Sequence, residues 1–177
     1  VTAARGNIVV WMDCDLGLPP EDIPRLVEQI KRYDIVIGSR YAKGGKDLRP
    51  KWRAGLSTLL NWYSSSLLGW TVRDYTSGFI AVRKEVLDYV RWNRNGFGEY
   101  FVEFAHKCVK KGFDVGEVGY VYRDRTRGTS KTQGFSTLLK YGLQYGVKVY
   151  QLRFPKTKPK ILPEHSRVLN SSVLSAK

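Results

Sequence analysis

From Ile8 to Met12 the chain is apolar without interruption, IVVWM, with polar residues closing in on both sides. A short unbroken run of that kind predicts a strand buried on both faces of a parallel sheet. Beyond it the period changes. In LPPEDIPRLVEQIKRY the apolar residues Ile23, Leu26, Val27 and Ile30 recur at helical spacing, Pro20, Glu21 and Asp22 suit a first turn, and Lys31 and Arg32 suit a last one. A second apolar run, DIVIGSR, predicts another buried strand ending at Gly38, Ser39 and Arg40. Strand, helix and strand make a βαβ unit, and in open α/β sheets ligands bind beyond the carboxyl ends of the strands. Asp13, Asp15 and Arg40 all fall at such ends and are expected to face one crevice.

The remaining pattern continues the alternation. The polar, basic segment YAKGGKDLRPKWR reads as a mobile loop over the crevice, with Lys43, Lys46, Arg49 and Lys51 solvated on it. RAGLSTLLNWYSSSLLG predicts a helix, and VRDYTSGFIAVRKEVLDYV a polar turn, a short strand and a helix opening near Lys84. GEYFVEFAHKCVKKG predicts a helix with Phe101, Phe104, Ala105 and Cys108 inward and Gly112 as its C-cap. FDVGEVGYVY reads as a strand running into a second basic loop, RDRTRGTSKTQG. A tyrosine-rich amphipathic helix is expected over 135–154, carrying Lys140, Lys148 and Arg153. The Pro, Lys and Ser tail over 155–177 reads as disordered. No internal repeat and no Gly-rich phosphate loop is found.

Thirty Lys and Arg against sixteen Asp and Glu leave a net charge of +14, so a polyanionic partner is expected: nucleic acid, anionic membrane or phosphorylated substrate. Cys14 and Cys108 form no C-x-x-C pair, which argues against a disulfide framework or a zinc site and favours a reducing cytosolic setting. No run of eighteen apolar residues predicts a transmembrane helix, and VTAARGN lacks the order of a signal peptide. Because NIVVWM reads as an interior strand, the sheet is expected to be incomplete at its amino-terminal side.

Asp13 and Asp15 stand one residue apart, so at an extended strand end their carboxylates point to one side. Such a pair repels itself unless a cation compensates, and Mg²⁺ or Mn²⁺ is held by one or two carboxylates while phosphate oxygens complete its shell. The competing reading is a helix cap, since Asp is a favoured N-cap residue.

Four stretches then occur in a telling order: VVWMDCDLGLPPEDIPRLVEQI, DIVIGSRYAKGG, RDYTSGFIAVRKEVL and YRDRTRGTSK. In order and spacing they resemble the polyprenyl-phosphate glycosyltransferases of family 2, those of the dolichol-phosphate mannose synthase type above all, from about residue 7 to about 131. The resemblance implies an α/β GT-A-like fold, a mostly parallel sheet flanked by helices, over residues 1–154. It implies inverting transfer of a sugar, most often mannose from GDP-mannose, to a polyprenyl phosphate. By position, Asp13 and Asp15 would hold the divalent ion, Mg²⁺ or Mn²⁺, on the donor diphosphate. Arg40 and Arg53 resemble arginines that contact phosphates, and Arg125 and Lys131 resemble the basic pair of the family's late loop. Asp74 sits where the family keeps an acidic residue at the sugar pocket. Since a phosphate acceptor is already anionic, Asp74 would orient rather than deprotonate it. Two positions depart from the pattern: Gly17 replaces a polar residue and Thr129 an acidic one.

The partners so implied are a nucleotide-sugar donor, a polyprenyl phosphate and an anionic membrane surface met through the helix at 135–154. The expected place is the cytoplasm, peripheral on the cytoplasmic membrane face. Competing readings are a UDP-sugar-dependent glucosyltransferase, a non-catalytic remnant, and a basic nucleic-acid-binding module. The last has aromatic residues beside basic ones but no recognised motif, and the aspartate pair would repel phosphate, so nucleic acid is not an expected partner.

Overall fold

The computed structural model describes residues 4–13, 17–91, 98–123 and 134–155. A four-stranded sheet carries the fold. Its strands are β1 (Ile8–Trp11), β2 (Ile35–Ser39), β4 (Ile80–Arg83) and β5 (Val115–Gly119), in the order β1-β4-β2-β5. A second sheet is minimal, pairing β3 (Lys46–Asp47) in parallel with β6 (Val121–Tyr122). The helices are α1 (Ile23–Gln29), preceded by a 3-10 turn at Pro20–Asp22, α2 (Lys51–Leu68), α3 (Val86–Tyr89), α4 (Glu99–Lys110) and α5 (Phe135–Arg153).

Alternation along the strands separates two cores. Ile35, Ile37, Ile80 and Val82 face one side, where Phe101, Phe104, Ala105 and Cys108 of α4 and Val149 of α5 meet them. Val36, Phe79 and Ala81 face the other, against Leu26 and Ile30 of α1 and Tyr120. A two-residue side-chain period on β2 and β4 therefore dictates which helices lie on which face. The α4 face agrees with its helical spacing, and Gly112 follows that helix at a φ of +82°, which suits a residue without a Cβ. Burial pushes the Cys108 thiol up to about 12, so it is an inert core side chain.

Several sequence expectations are corrected. β1 and β2 run in the same direction but are not neighbours: β4 lies between them, antiparallel to both, so the sheet is mixed. Only the β2–β5 pair is parallel within it. β1 is an edge strand among the described residues, and of its residues only Val9 is buried while Ile8 is exposed. The apolar run mistook one-sided burial for two-sided. The stretch 115–122 is two strands, because the chain leaves the main sheet at Tyr120 to pair with β3. That pairing also ties down the 41–53 segment. Its turn packs backbone against backbone: a Cβ on Gly119 would meet the Lys43 carbonyl and lie 2.5 Å from the Gly45 nitrogen.

α5 packs against both α2 and α4. Lys148, read as a surface cation, instead reaches Glu103 of α4 at 2.5 Å, where Lys107 also pairs. Outward, Leu139, Leu143, Val147, Tyr150 and Phe154 form an exposed stripe along α5. No helix among the described residues is long and apolar enough to cross a membrane.

Candidate active site

Strand register decides what gathers at one edge of the sheet. Ile80, the first residue of β4, pairs with Trp11 on one side and Ile37 on the other. Two residues past Trp11 comes Asp13, three past Ile37 comes Arg40, and the 72–79 segment leads into β4 at the same level. The ends of β1 and β2 are therefore separated by two strand spacings, about 10 Å. Because β4 runs backwards, its own amino-terminal approach arrives between those two ends, where the crevice is expected.

At the β2 end, Arg40 and Asp74 are locked together. Asp74 is fully buried, and its Oδ2 accepts from the backbone N–H and Nε of Arg40, each at 2.9 Å, while Oδ1 accepts from Nη2 at 2.7 Å. The same Nη2 donates to Thr76 Oγ1 at 2.6 Å, and Nη1 lies 3.6 Å from Asp47. Burial works against the Arg40 charge, but Asp74 outweighs it and holds the guanidinium protonated far above its ordinary range. Asp47 is in turn gripped by Arg49, whose Nε and Nη2 reach its two oxygens at 2.9 and 2.6 Å. Burial would raise the Asp47 carboxyl; hydrogen bonds and charge from Arg49 more than reverse that and lower it. Tyr122 lies beneath both guanidiniums, 5.7 Å from Arg40 and 5.0 Å from Arg49.

One face of α2 continues this polar wall. Arg53, Ser57 and Asn61 recur every four residues and so share a face. Ser57 accepts from Arg49 at 2.9 Å, Asn61 donates to Thr76 Oγ1 at 2.9 Å, and Arg53 is buried in the first turn of the helix.

At the β1 end, Asp13 is exposed, and an added Cβ on Gly78 would stand 3.6 Å from its Oδ2. Tyr100 of α4 and Tyr145 of α5 lie within electrostatic reach of this carboxylate. Burial first, and then Asp13, raises the Tyr100 phenol; burial first, then Glu99, Tyr100 and Asp13, raises that of Tyr145. Both phenols therefore stay neutral. Tyr145 also explains Gly98, the residue before α4: at φ +142° it stands where a Cβ would collide with the Tyr145 hydroxyl. Among the described residues no cluster of three His, Cys, Asp or Glu forms. An ion on a diphosphate needs only one or two carboxylates, and the hard oxygens and solvent exposure of Asp13 fit that requirement.

The structure thus brings Arg40 and Asp74 together and puts Asp13 on the same edge, with Arg53 on the flanking helix. Asp15, Arg125, Thr129 and Lys131 lie outside the described residues, as does the tail beyond residue 155. Arg49 is not a solvated loop residue; its side chain is nearly buried in the ion-paired wall. Ser57, Asn61, Thr76, Tyr100 and Tyr145 carry no sequence motif that singles them out. One signal was present: a four-residue polar rhythm, Arg53, Ser57, Asn61, inside an otherwise amphipathic helix.

Comparison with known proteins identifies the family. A family model described as Glycosyl transferase family 2 matches residues 1–91. A dolichol-phosphate mannosyltransferase from Pyrococcus furiosus is 41% identical over 142 residues, 78% of this chain and 39% of that protein. A polyprenol monophosphomannose synthase from Mycolicibacterium smegmatis is 35% identical over 72% of this chain and 50% of its own length. A dolichyl-phosphate hexose transferase from Haloferax volcanii is 34% identical over 77% of this chain and 58% of its own. The chain spans about half the length of the curated relatives it matches.

Proposed function

The chain belongs to glycosyl transferase family 2, with its GT-A fold, and from that premise we propose that it carries catalytic machinery for transferring a sugar from a nucleotide diphosphate to the phosphate of a polyprenol. The observation that carries this reading is the convergence of the Asp13 carboxylate and the Arg40–Asp74 pair on one sheet edge. The favoured donor is GDP-mannose; the Pyrococcus and Mycolicibacterium relatives, both named for mannose transfer, support the sugar. The Haloferax relative is named for a hexose without saying which, so the second reading is transfer of another hexose, such as glucose from a UDP donor.

In the proposed reaction an oxygen of the acceptor phosphate attacks the anomeric carbon, the bond from that carbon to the diphosphate oxygen breaks, and the nucleoside diphosphate leaves with inversion. The attacking oxygen is already anionic, so no side chain need remove a proton. Asp13 and Asp15 would hold Mg²⁺ or Mn²⁺, which when bound offsets the charge of the leaving diphosphate. Arg53, Arg125 and Lys131 would supply further positive charge to the phosphates. Arg40 has its guanidinium engaged by Asp74, and we assign it to shaping the crevice wall; Asp74 orients by holding it. Tyr100 and Tyr145 would donate hydrogen bonds beside Asp13. The reading includes docking on an anionic bilayer, at the cytoplasmic face, through the exposed stripe of α5 and the basic Lys140 and Arg153.

The test is transfer of radiolabelled mannose from GDP-mannose to a polyprenyl phosphate in detergent, with Mn²⁺ or with chelator, for the chain and for Asp13→Ala. Loss of transfer on chelation and on substitution is expected. Undiminished transfer in both, or faster transfer from UDP-glucose, would overturn the metal or the donor assignment respectively.

A further inference from the structure

Residues 72–79 approach the crevice without regular secondary structure, so their backbone N–H groups find no ladder partner, and four of them are met by side chains. Three side chains do this. Thr76 donates its N–H to Asp74 at 3.3 Å, Phe79 donates to Ser77 Oγ at 3.2 Å, and Arg73 and Asp74 both donate to Glu117 Oε1 at 3.0 Å. Glu117 lies on β5, where the sequence VGEVG offers no other side chain able to hydrogen-bond. Its partner in register is Ile37, two residues before Ser39, whose hydroxyl also meets the Glu117 carboxyl. Glu117 is half-buried on β5, the strand beside β2 at the end of the sheet among the described residues, and a carboxylate aimed there at two peptide N–H groups costs desolvation that a simple packing residue would avoid.

We propose that Glu117 is a positioning residue of the active site: by gripping the backbone of Arg73 and Asp74, it holds the Asp74 carboxylate where that carboxylate can clamp Arg40. The chain of contact is continuous. Glu117 fixes the Asp74 peptide, Asp74 accepts three hydrogen bonds from Arg40, and Arg40 Nη2 also engages Thr76, which Asn61 of α2 secures from the other side. Charge bookkeeping fits this role. Arg40 and Arg49 already have Asp74 and Asp47 as ion partners, whereas the contacts of Glu117 to this segment are its two bonds to backbone N–H groups. Burial first, with Asp74 beside it, raises the Glu117 carboxyl, whereas the two N–H groups favour its charged form. Glutamine, which keeps an acceptor oxygen on a side chain of the same length, should therefore substitute for it. Aspartate, one methylene shorter, should not reach both N–H groups.

The role rests on the function proposed above, but its primary readout does not. The Nε–H of Arg40, identified by its loss in Arg40→Lys, is followed by NMR in the intact chain, in Glu117→Gln and in Glu117→Asp. Its exchange with solvent should quicken about tenfold or more in the aspartate variant and stay within about twofold of the parent in the glutamine variant. Mannosyl transfer is measured in parallel, with kcat expected to fall about tenfold in the aspartate variant and to recover in the glutamine variant. An unchanged Arg40 signal in Glu117→Asp, or equal damage in both variants, overturns the proposal. If no transfer is detected in any form, the function reading fails while the Arg40 signal still decides the role of Glu117.

Discussion

Replacing Asp74 by Asn removes one charge from a fully buried site while nearly preserving shape, which makes it the sharpest probe of the crevice wall. In the parent, Asp74 takes three hydrogen bonds from Arg40 between 2.7 and 2.9 Å, and the Arg40 side chain is itself only 5% exposed. After substitution, Arg40 and Arg49 share Asp47 alone, and the nearer contact of Asp47 is to Arg49, at 2.6 Å against 3.6 Å. Summing three charged hydrogen bonds would suggest more, but such terms are not additive; breaking one partner of a buried pair costs about 3–5 kcal/mol. That is a large share of the stability of an ordinary domain, and at roughly 2–4 °C per kcal/mol it corresponds to a drop in Tm of about 6–20 °C. Urea and thermal melts followed by tryptophan fluorescence measure it. Arg40→Met in the same background completes a double-mutant cycle. Because both charges are then gone, the double variant should be better than the sum of the singles by about 1–3 kcal/mol. A cost for Asp74→Asn below about 1 kcal/mol, or additivity within about 0.5 kcal/mol, would refute the reasoning.

Three further outcomes follow from other parts of the molecule. His106 is buried on α4 with no partner at either ring nitrogen among the described residues; burial first, then Lys110 and Arg153, holds its pKa down to about 4. The unfolded chain therefore takes up a proton near pH 6.5 that the folded one refuses, so Tm should fall as pH drops from 6.5 toward 4, and His106→Leu should flatten that slope; an unchanged slope would contradict it. Gly119→Ala would press a methyl on the Lys43 carbonyl and the Gly45 nitrogen, backbone atoms that cannot swing away, and should cost about 1–3 kcal/mol in a denaturant melt. Sedimentation with anionic vesicles should retain the chain, and Leu143→Asp with Val147→Asp should release it; equal retention would exclude the α5 stripe as the docking face.

Much of the architecture was written in local pattern. The periods of 8–12, 23–30, 35–40, 101–108 and 135–153 each specify an element, because a buried strand needs a continuous apolar run and a packed helix needs apolar residues every three to four positions. The same pattern put Asp13 and Arg40 at strand ends, and the four motifs carried the family. What stayed hidden was which strands touch. Nothing local says that β4 enters between β1 and β2 and runs against them, since pairing order is chosen by how the whole chain closes its two cores.

The wall around Arg40 was hidden for the same reason. Asp74 lies 34 residues from Arg40, and Glu117 a further 43 from Asp74, so their contacts have no spacing to read. Arg49 looked like one more cation in a basic loop until Asp47, Tyr122 and Ser57 closed around it. Sequence alone determined the elements, the net charge and the chemistry available at two strand ends, because those depend on neighbours along the chain. Only the tertiary structure decided which charges neutralise each other and which remain open to a ligand, because burial and distance across the chain set the energy of an ion.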